Sequence, residues 1–244
     1  MFSKKVNVLS IIYKQYLYKL KAYSSLSHSL IIVQMIALLF SLGGAFSMSS
    51  GNNELSVTVK GYNSNIVIVF SLFWILFTAV QLVSKPYKKM ELPLVTNRLC
   101  GNLSNIGFLM TVCIFAGITS SLVGVLLRVI KNLMLDSSQI VINGFFVYYT
   151  DLLLGIVIAI LYMVLFSALG YFIGVVAHLN IAFALIIPAV ILGALRIYPD
   201  FTQGMFKFFV LEASPSVFGL KVVLTSIILL GISIFLSNRM EVNQ

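Results

Sequence analysis

Six apolar stretches divide this sequence, and short segments that hold most of the charged residues separate them. The chain is 60% hydrophobic and only 9% charged, whereas soluble domains carry about 25% charged residues. Apolar runs of this length cross a bilayer as helices, because a helix bonds all of its own backbone polar groups. The sequence therefore predicts an all-α polytopic membrane protein. The six predicted transmembrane helices cover residues 30–48, 66–83, 105–127, 152–177, 181–195 and 220–236.

Residues 1–29 have a different pattern from the spans that follow them. They contain five lysines, and their aromatic and aliphatic residues recur every three or four positions. This pattern predicts an amphipathic helix that lies in the membrane interface, with its tyrosines at headgroup level. We predict no secretory signal, since no apolar core followed by a cleavage site is present. The repeating residues are Leu9, Ile12, Tyr13, Tyr16, Leu20 and Tyr23.

The distribution of basic residues predicts the orientation in the membrane. The net charge is +9, and the basic residues stand beside apolar spans. They do not form the dense basic patch that nucleic-acid binding requires, so we expect no nucleic-acid partner. With the amino terminus inside, residues 1–29, 85–104, 178–180 and 237–244 hold ten Lys and Arg, and the outer segments hold six. The positive-inside rule then predicts a cell-membrane protein with both termini in the cytoplasm.

The loop between the second and third spans has the features of a short docking helix. Pro93 suits the first position of a helix, and Gly101 suits the position just past its end. Leu92, Val95 and Leu99 would lie on one apolar face, opposite a basic face. Such a helix, held at both ends by membrane spans, is suited to contact with another protein. The alternative is a plain cytosolic loop whose lysines only set the orientation.

Two further features concern how the spans pack. Gly170 and Gly174 form a GxxxG pair in the fourth span, and small residues at this spacing allow helix backbones to approach closely. Pro188 stands in the middle of the fifth span, where it removes a hydrogen bond and is expected to kink the helix. Residues 200–218 are apolar but interrupted, among others by Pro215. We expect this segment to lie at the outer membrane surface.

The sequence contains no pattern typical of an active site. It has no nucleotide-binding GxxxxGK[ST] and no HExxH or GxSxG, so we predict a non-enzymatic chain that binds no metal or cofactor. Cys100 and Cys113 are interpreted as reduced and structural. Arg196 and Glu212 are candidates for intramembrane function, or else they extend into the headgroup layer. No acidic residues suited to proton relay stand in the middle of a span, which disfavours an ion-driven transporter.

The order of these elements resembles the membrane subunits of ABC-2 type exporters, over essentially the whole chain. An amphipathic "elbow" helix comes first, and residues 30–244 follow as a six-helix domain with a cytoplasmic loop at 85–104. Leu-Pro-Leu-Val-Thr-Asn-Arg in that loop is similar to the family's degenerate entry to its coupling helix. The resemblance implies an ABC-2 (type V) exporter fold in which this loop contacts an ATPase. The implied coupling residues are Leu92, Pro93, Leu94, Val95, Thr96, Asn97, Arg98 and Leu99.

The resemblance also implies partners and a function. Two permease copies, expected to be identical, would associate with two cytoplasmic ABC ATPase subunits, which would bind ATP and magnesium. The chain looks like the compact Gram-positive permeases that export amphipathic or antimicrobial peptides, such as phenol-soluble modulins. Alternatives within this class are self-protection against lantibiotic or bacitracin-like peptides and the export of lipids or wall polymers. A stand-alone six-span protein, such as a membrane enzyme or channel, is the alternative from a different class.

Overall fold

The structure is a computed structural model that describes residues 8–43, 46–52, 55–61, 64–84, 98–134, 149–179 and 214–239, and isolated residues between 186 and 208. These residues contain six helices and one two-stranded hairpin. The helices are α1 (Val8–Ala22), α2 (Ser25–Leu42), α3 (Asn65–Val83), α4 (Arg98–Met134), α5 (Tyr149–Leu179) and α6 (Pro215–Arg239), and the strands are β1 (Phe46–Asn52) and β2 (Leu55–Gly61).

Five of these helices, α2 to α6, are long and apolar enough to cross a membrane. They correspond to the predicted first, second, third, fourth and sixth spans, which confirms a helical chain consistent with a multi-pass membrane protein. The predicted fifth span at 181–195, with Pro188, lies outside the described residues apart from a few isolated positions.

Pairs of contacts along α3, α4 and α5 show which of these helices run parallel and which run antiparallel. Gly170 and Gly174 of α5 lie against Leu76 and Val80 of α3, so these two helices run parallel. Nearer the start of α5, Ile160 lies against Gly117 of α4. The hydroxyl of Tyr171, further along α5, donates a hydrogen bond to Asn102, which comes earlier in α4. Helices α4 and α5 are therefore antiparallel.

Helix α6 also runs parallel to α5. Phe218, near its start, stacks against Tyr162 with ring centroids 4.9 Å apart. Near its end, Leu236 packs against a core cluster that contains Val175 of α5 and Tyr23, just before α2. The start of α2 and the end of α6 therefore lie at the same end of the bundle, which we call the α1 end. The two chain termini themselves lie outside the described residues.

Two predicted boundaries near the amino terminus are wrong. Helix α2 begins at Ser25 and ends at Leu42, not at residues 30 and 48. The chain then forms an antiparallel hairpin, which begins at Phe46 inside the first predicted span and pairs this residue with Gly61. The signal for a strand was present, because residues 55–60 alternate apolar and polar side chains.

The prediction that Gly101 ends a short helix is also wrong. Helix α4 begins at Arg98 and continues through Gly101 to Met134, so residues 98–104 of the predicted loop belong to it. The helix continues because Cys100 and Asn102 are buried in tertiary contacts on either side of the glycine. Packing of this kind outweighs the helix propensity of one glycine, which costs only about 1 kcal/mol.

Pro215 begins a helix and does not interrupt one. The backbone N–H of Val217 donates to Oγ of Ser214 at 3.2 Å, which is the geometry of an N-cap serine followed by proline at the first helical position. Helix α6 therefore starts at Pro215, five residues before the predicted start of the last span. The residues of the predicted surface segment from 215 to 218 form its first turn.

The GxxxG pair packs within the chain, between α5 and α3. A Cβ atom at Gly170 would overlap the carbonyl oxygen of Leu76, and one at Gly174 would lie 3.1 Å from Cα of Val80. Gly155, near the start of the same helix, has no such neighbour within 4 Å. The two glycines therefore let the α3 and α5 backbones touch, as small residues do in membrane helix pairs.

We expect Gly170→Ala to lower stability and Gly155→Ala to leave it unchanged or slightly higher. The added methyl group at Gly170 must push α3 away, and overpacking of this kind costs about 1–3 kcal/mol. Thermal unfolding of the two variants in the same detergent measures the difference. Equal melting temperatures for both would contradict the close α3–α5 contact.

Candidate functional site at the junction of α1 and α4

Most of the predicted coupling residues lie outside the described part of the chain. Residues 92–97 are among these, and Arg98 is described only as the first residue of α4. Leu99 lies in the first turn of α4, where its side chain is 43% exposed, and the next residue, Cys100, is buried. The exposed side of this turn is thus available to a partner, and its other side belongs to the bundle.

The strongest polar cluster in the described residues lies directly beside this turn. Lys19 of α1 is only 2% exposed. Its Nζ donates to Oγ of Ser104 at 2.8 Å, to the carbonyl oxygen of Gly101 at 3.4 Å, and to Oδ1 of Asn105. A lysine ammonium has three donors, and all three reach acceptors on the first two turns of α4.

The Ser104 hydroxyl acts as a donor and as an acceptor in this cluster. The Ser104 hydroxyl donates back to the Gly101 carbonyl at 2.8 Å, which leaves its oxygen free to accept from Lys19. Removing a charged group from water is costly unless its hydrogen bonds are replaced. The first turns of α4 supply these hydrogen bonds, so the buried Lys19 ammonium connects α1 to α4.

A second contact extends the cluster to α5. Asn102 is 7% exposed, and its Oδ1 accepts a hydrogen bond from the Tyr171 hydroxyl at 3.0 Å. Its Nδ2 has no hydrogen-bond partner among the described residues. One short stretch of α4 therefore holds two neighbours, with α1 on one side and α5 on the other.

Helix α1 faces two environments. Toward α4 it presents the buried residues Gln15 and Lys19, which are one turn apart. Toward the outside it presents apolar side chains that include Leu9 and Tyr13, both more than half exposed. Of the residues in the predicted interfacial stripe, Tyr16 turns inward to Thr111, with a hydroxyl-to-hydroxyl distance of 3.4 Å.

The sequence interpretation did not single out Lys19, which it counted only as one of the orienting charges. A signal was available, because Gln15 and Lys19 are four residues apart and must share one helix face. Ser104 and Asn105 on α4 give the matching polar face, but Ser104 fell in the predicted loop and Asn105 in the predicted third span.

Other polar contacts among the described residues also connect helices inside the bundle. Gln34 Nε2 of α2 donates to Ser71 of α3 at 3.2 Å and to Thr119 of α4 at 3.0 Å. At the end of the bundle opposite α1, Lys131 Nζ donates to the Leu42 carbonyl at 2.8 Å. Interhelical bonds of this type hold membrane helices together.

The Lys19 cluster lies at one end of the longest described helix. Helix α4 has 37 residues, which corresponds to about 55 Å, whereas the hydrocarbon core is about 30 Å thick. In a membrane-spanning orientation at least one of its ends would therefore extend past the hydrocarbon. The cluster lies within the first eight residues of α4, at its amino-terminal end.

No protein-family model, curated protein or solved structure matches this chain. Among the described residues, no three His, Cys, Asp or Glu side chains come together in a group that could hold a metal ion.

We expect Lys19→Met to release α1 from α4, because it leaves buried acceptors without their donor. Hydrogen bonds to a charged group each contribute about 1.5–3 kcal/mol. Limited proteolysis in membranes should cut the variant within or next to α1 faster than the unmodified chain. Lys14→Met is the control, since Lys14 is exposed on the same helix. If both variants are cleaved at the rate of the unmodified chain, Lys19 does not hold α1.

Proposed function

We propose that this chain is the permease subunit of an ABC-2 type exporter in the cell membrane. In this proposal it forms the path for amphipathic or antimicrobial peptides, such as phenol-soluble modulin-like toxins. A separate cytoplasmic ABC ATPase would bind ATP and magnesium and supply the energy. Two copies of each subunit would form the complex, and the second permease copy follows from the sequence resemblance alone.

The observation that carries this proposal is the Lys19 junction. The predicted coupling residues 92–97 directly precede Arg98, where α4 begins. Lys19 contacts α4 within the next two turns. A force applied to the coupling segment would therefore act on α4 and, through Lys19, on the amphipathic helix α1. A protein driven from outside the membrane needs a rigid connection of this kind.

Two further features support the proposal. The start of α2 and the end of α6 share the α1 end of the bundle, as they would with both termini in the cytoplasm beside the ATPase. The exposed apolar side chain of Leu99 lies at the same end. An exposed apolar side chain can become buried in a groove on a partner subunit and anchor it there.

We expect Leu99→Asp to separate the permease from its ATPase and stop transport. Loss of a buried anchor costs at least about 2 kcal/mol, which is on the order of a thirty-fold loss of affinity. The measurement is co-purification of the tagged permease from its native membranes, with mass spectrometry of the bound subunits. Transport of an amphipathic peptide by the same cells gives the second readout.

Leu133→Asp is the matched control for this experiment. Leu133 lies at the opposite end of α4 and is 80% exposed, so the same charge is introduced far from the proposed partner. Lys88→Ala should also have little effect, because this lysine has only an orienting role in the proposal. If no ABC ATPase co-purifies with the unmodified chain, or if Leu99→Asp still binds it, the exporter proposal fails.

A further inference from the structure

A partly open cavity of about 260 Å³ lies at the α1 end of the bundle, between the α1–α2 junction, α3 and α4. Its floor consists of three buried aromatic side chains, Tyr23, Trp74 and Phe108. Its mouth consists of the exposed residues Ser24, Ser27 and Phe115. The cavity is therefore an apolar groove that can be entered from the side of the bundle.

The groove is elongated along the helix axes. On α4 its wall is formed by residues 108, 111, 112 and 115, which lie on one face over two turns, or about 10 Å. The opposite wall comes from residues between 20 and 27. Helix α2 runs parallel to α4 here, because Tyr23 packs edge-to-face against Phe108 and Gln34 donates a hydrogen bond to Thr119 further along both helices. A groove along transmembrane helices lies along the direction of lipid chains.

The groove also has a polar end and an apolar end. Ser104 and Asn105, which bind Lys19, lie about one turn before Phe108 on α4. From Phe108 the groove leads away from this junction toward Phe115, into the apolar part of the helix. The exposed residue Lys21 follows the lining residue Leu20 in the sequence and comes three residues before Ser24 at the mouth. A positive charge therefore lies within three residues of the groove's mouth.

We propose that this groove binds one acyl chain of an anionic membrane lipid, whose headgroup lies beside Lys21 and the Ser24 hydroxyl. The volume exceeds the roughly 150 Å³ of a dry cavity that accepts benzene and lies just below the roughly 300 Å³ of the smallest typical ligand pockets. A single narrow chain fits this space. A helical peptide does not, because a helix with side chains is about 10 Å or more in diameter. The proposal does not depend on the exporter function.

The chain provides its own probe for this site. Trp74 is the single tryptophan of the sequence, it lies on the groove floor, and its Nε1 donates to Ser29 at 3.0 Å. Bromine atoms on an acyl chain quench tryptophan fluorescence only at short range. The protein is reconstituted in phosphatidylcholine vesicles with an increasing fraction of phosphatidylglycerol that carries brominated chains. We expect Trp74 fluorescence to fall and then saturate at a low fraction of brominated lipid.

Headgroup selection is tested with brominated phosphatidylcholine. A nearby lysine strengthens the binding of an anionic lipid headgroup. We therefore expect brominated phosphatidylglycerol to quench half of the Trp74 fluorescence at about a five-fold lower mole fraction than brominated phosphatidylcholine does. Lys21→Gln should remove this preference while chain binding remains. If both lipids quench the unmodified protein equally, or if neither quenches it, the proposal is overturned.

Two variants separate the groove from the lipid that surrounds every membrane protein. Ser27→Phe fills the mouth and should abolish the saturable quenching, whereas Ser25→Phe places the same ring on an exposed position of α2 that does not line the groove. The double variant Trp74→Phe/Phe77→Trp moves the fluorophore to a side chain that is 61% exposed. Its quenching should follow the bulk bromine fraction without saturating. Unchanged quenching in Ser27→Phe would refute a groove-bound chain.

Discussion

The buried ammonium of Lys19 is the interaction on which the α1 end of this structure depends. An amphipathic helix at a membrane surface is ordinarily held by its apolar face alone. Here α1 also turns a lysine into the protein, where Gly101, Ser104 and Asn105 accept its three hydrogen bonds. If α1 moved away from α4, three buried acceptors would lose their donor and the Lys19 charge would lose its hydrogen bonds. Helix α1 and the first turns of α4 therefore behave as one unit.

The rest of the bundle is held mainly by close backbone contact. Lipid tails are as apolar as leucine side chains, so burial gives little drive for helices to associate inside a membrane. Gly170 and Gly174 instead bring α5 against α3, and Gly117 does the same for α4 against α5. A few interhelical hydrogen bonds, such as those that Gln34 donates, also connect specific faces of neighbouring helices. The structure thus combines one charged junction at the α1 end with a closely packed apolar interior.

The same end of the bundle carries three features that bear on function. The junction at Lys19, the exposed Leu99 at the start of α4, and the aromatic groove over Trp74 all lie along or beside about the first five turns of α4. Lys19 and the groove both lie where the α1 region contacts α4, so we expect occupancy of the groove to affect the position of α1. A lipid chain in the groove would support the contact between the α1–α2 junction and α4 from its open side.

The sequence by itself determined which parts of the chain are apolar enough to form membrane helices, because hydropathy is a property of consecutive residues. It also marked Gly170 and Gly174 as a contact point, since their spacing alone puts them on one face. The tertiary structure decided where helices end, as α4 continues through Gly101 and α6 starts at Pro215. It also decided that Lys19 is buried while Lys14 is exposed. A lysine is buried only where another helix supplies acceptors, and sequence spacing within one helix contains no information about that neighbour.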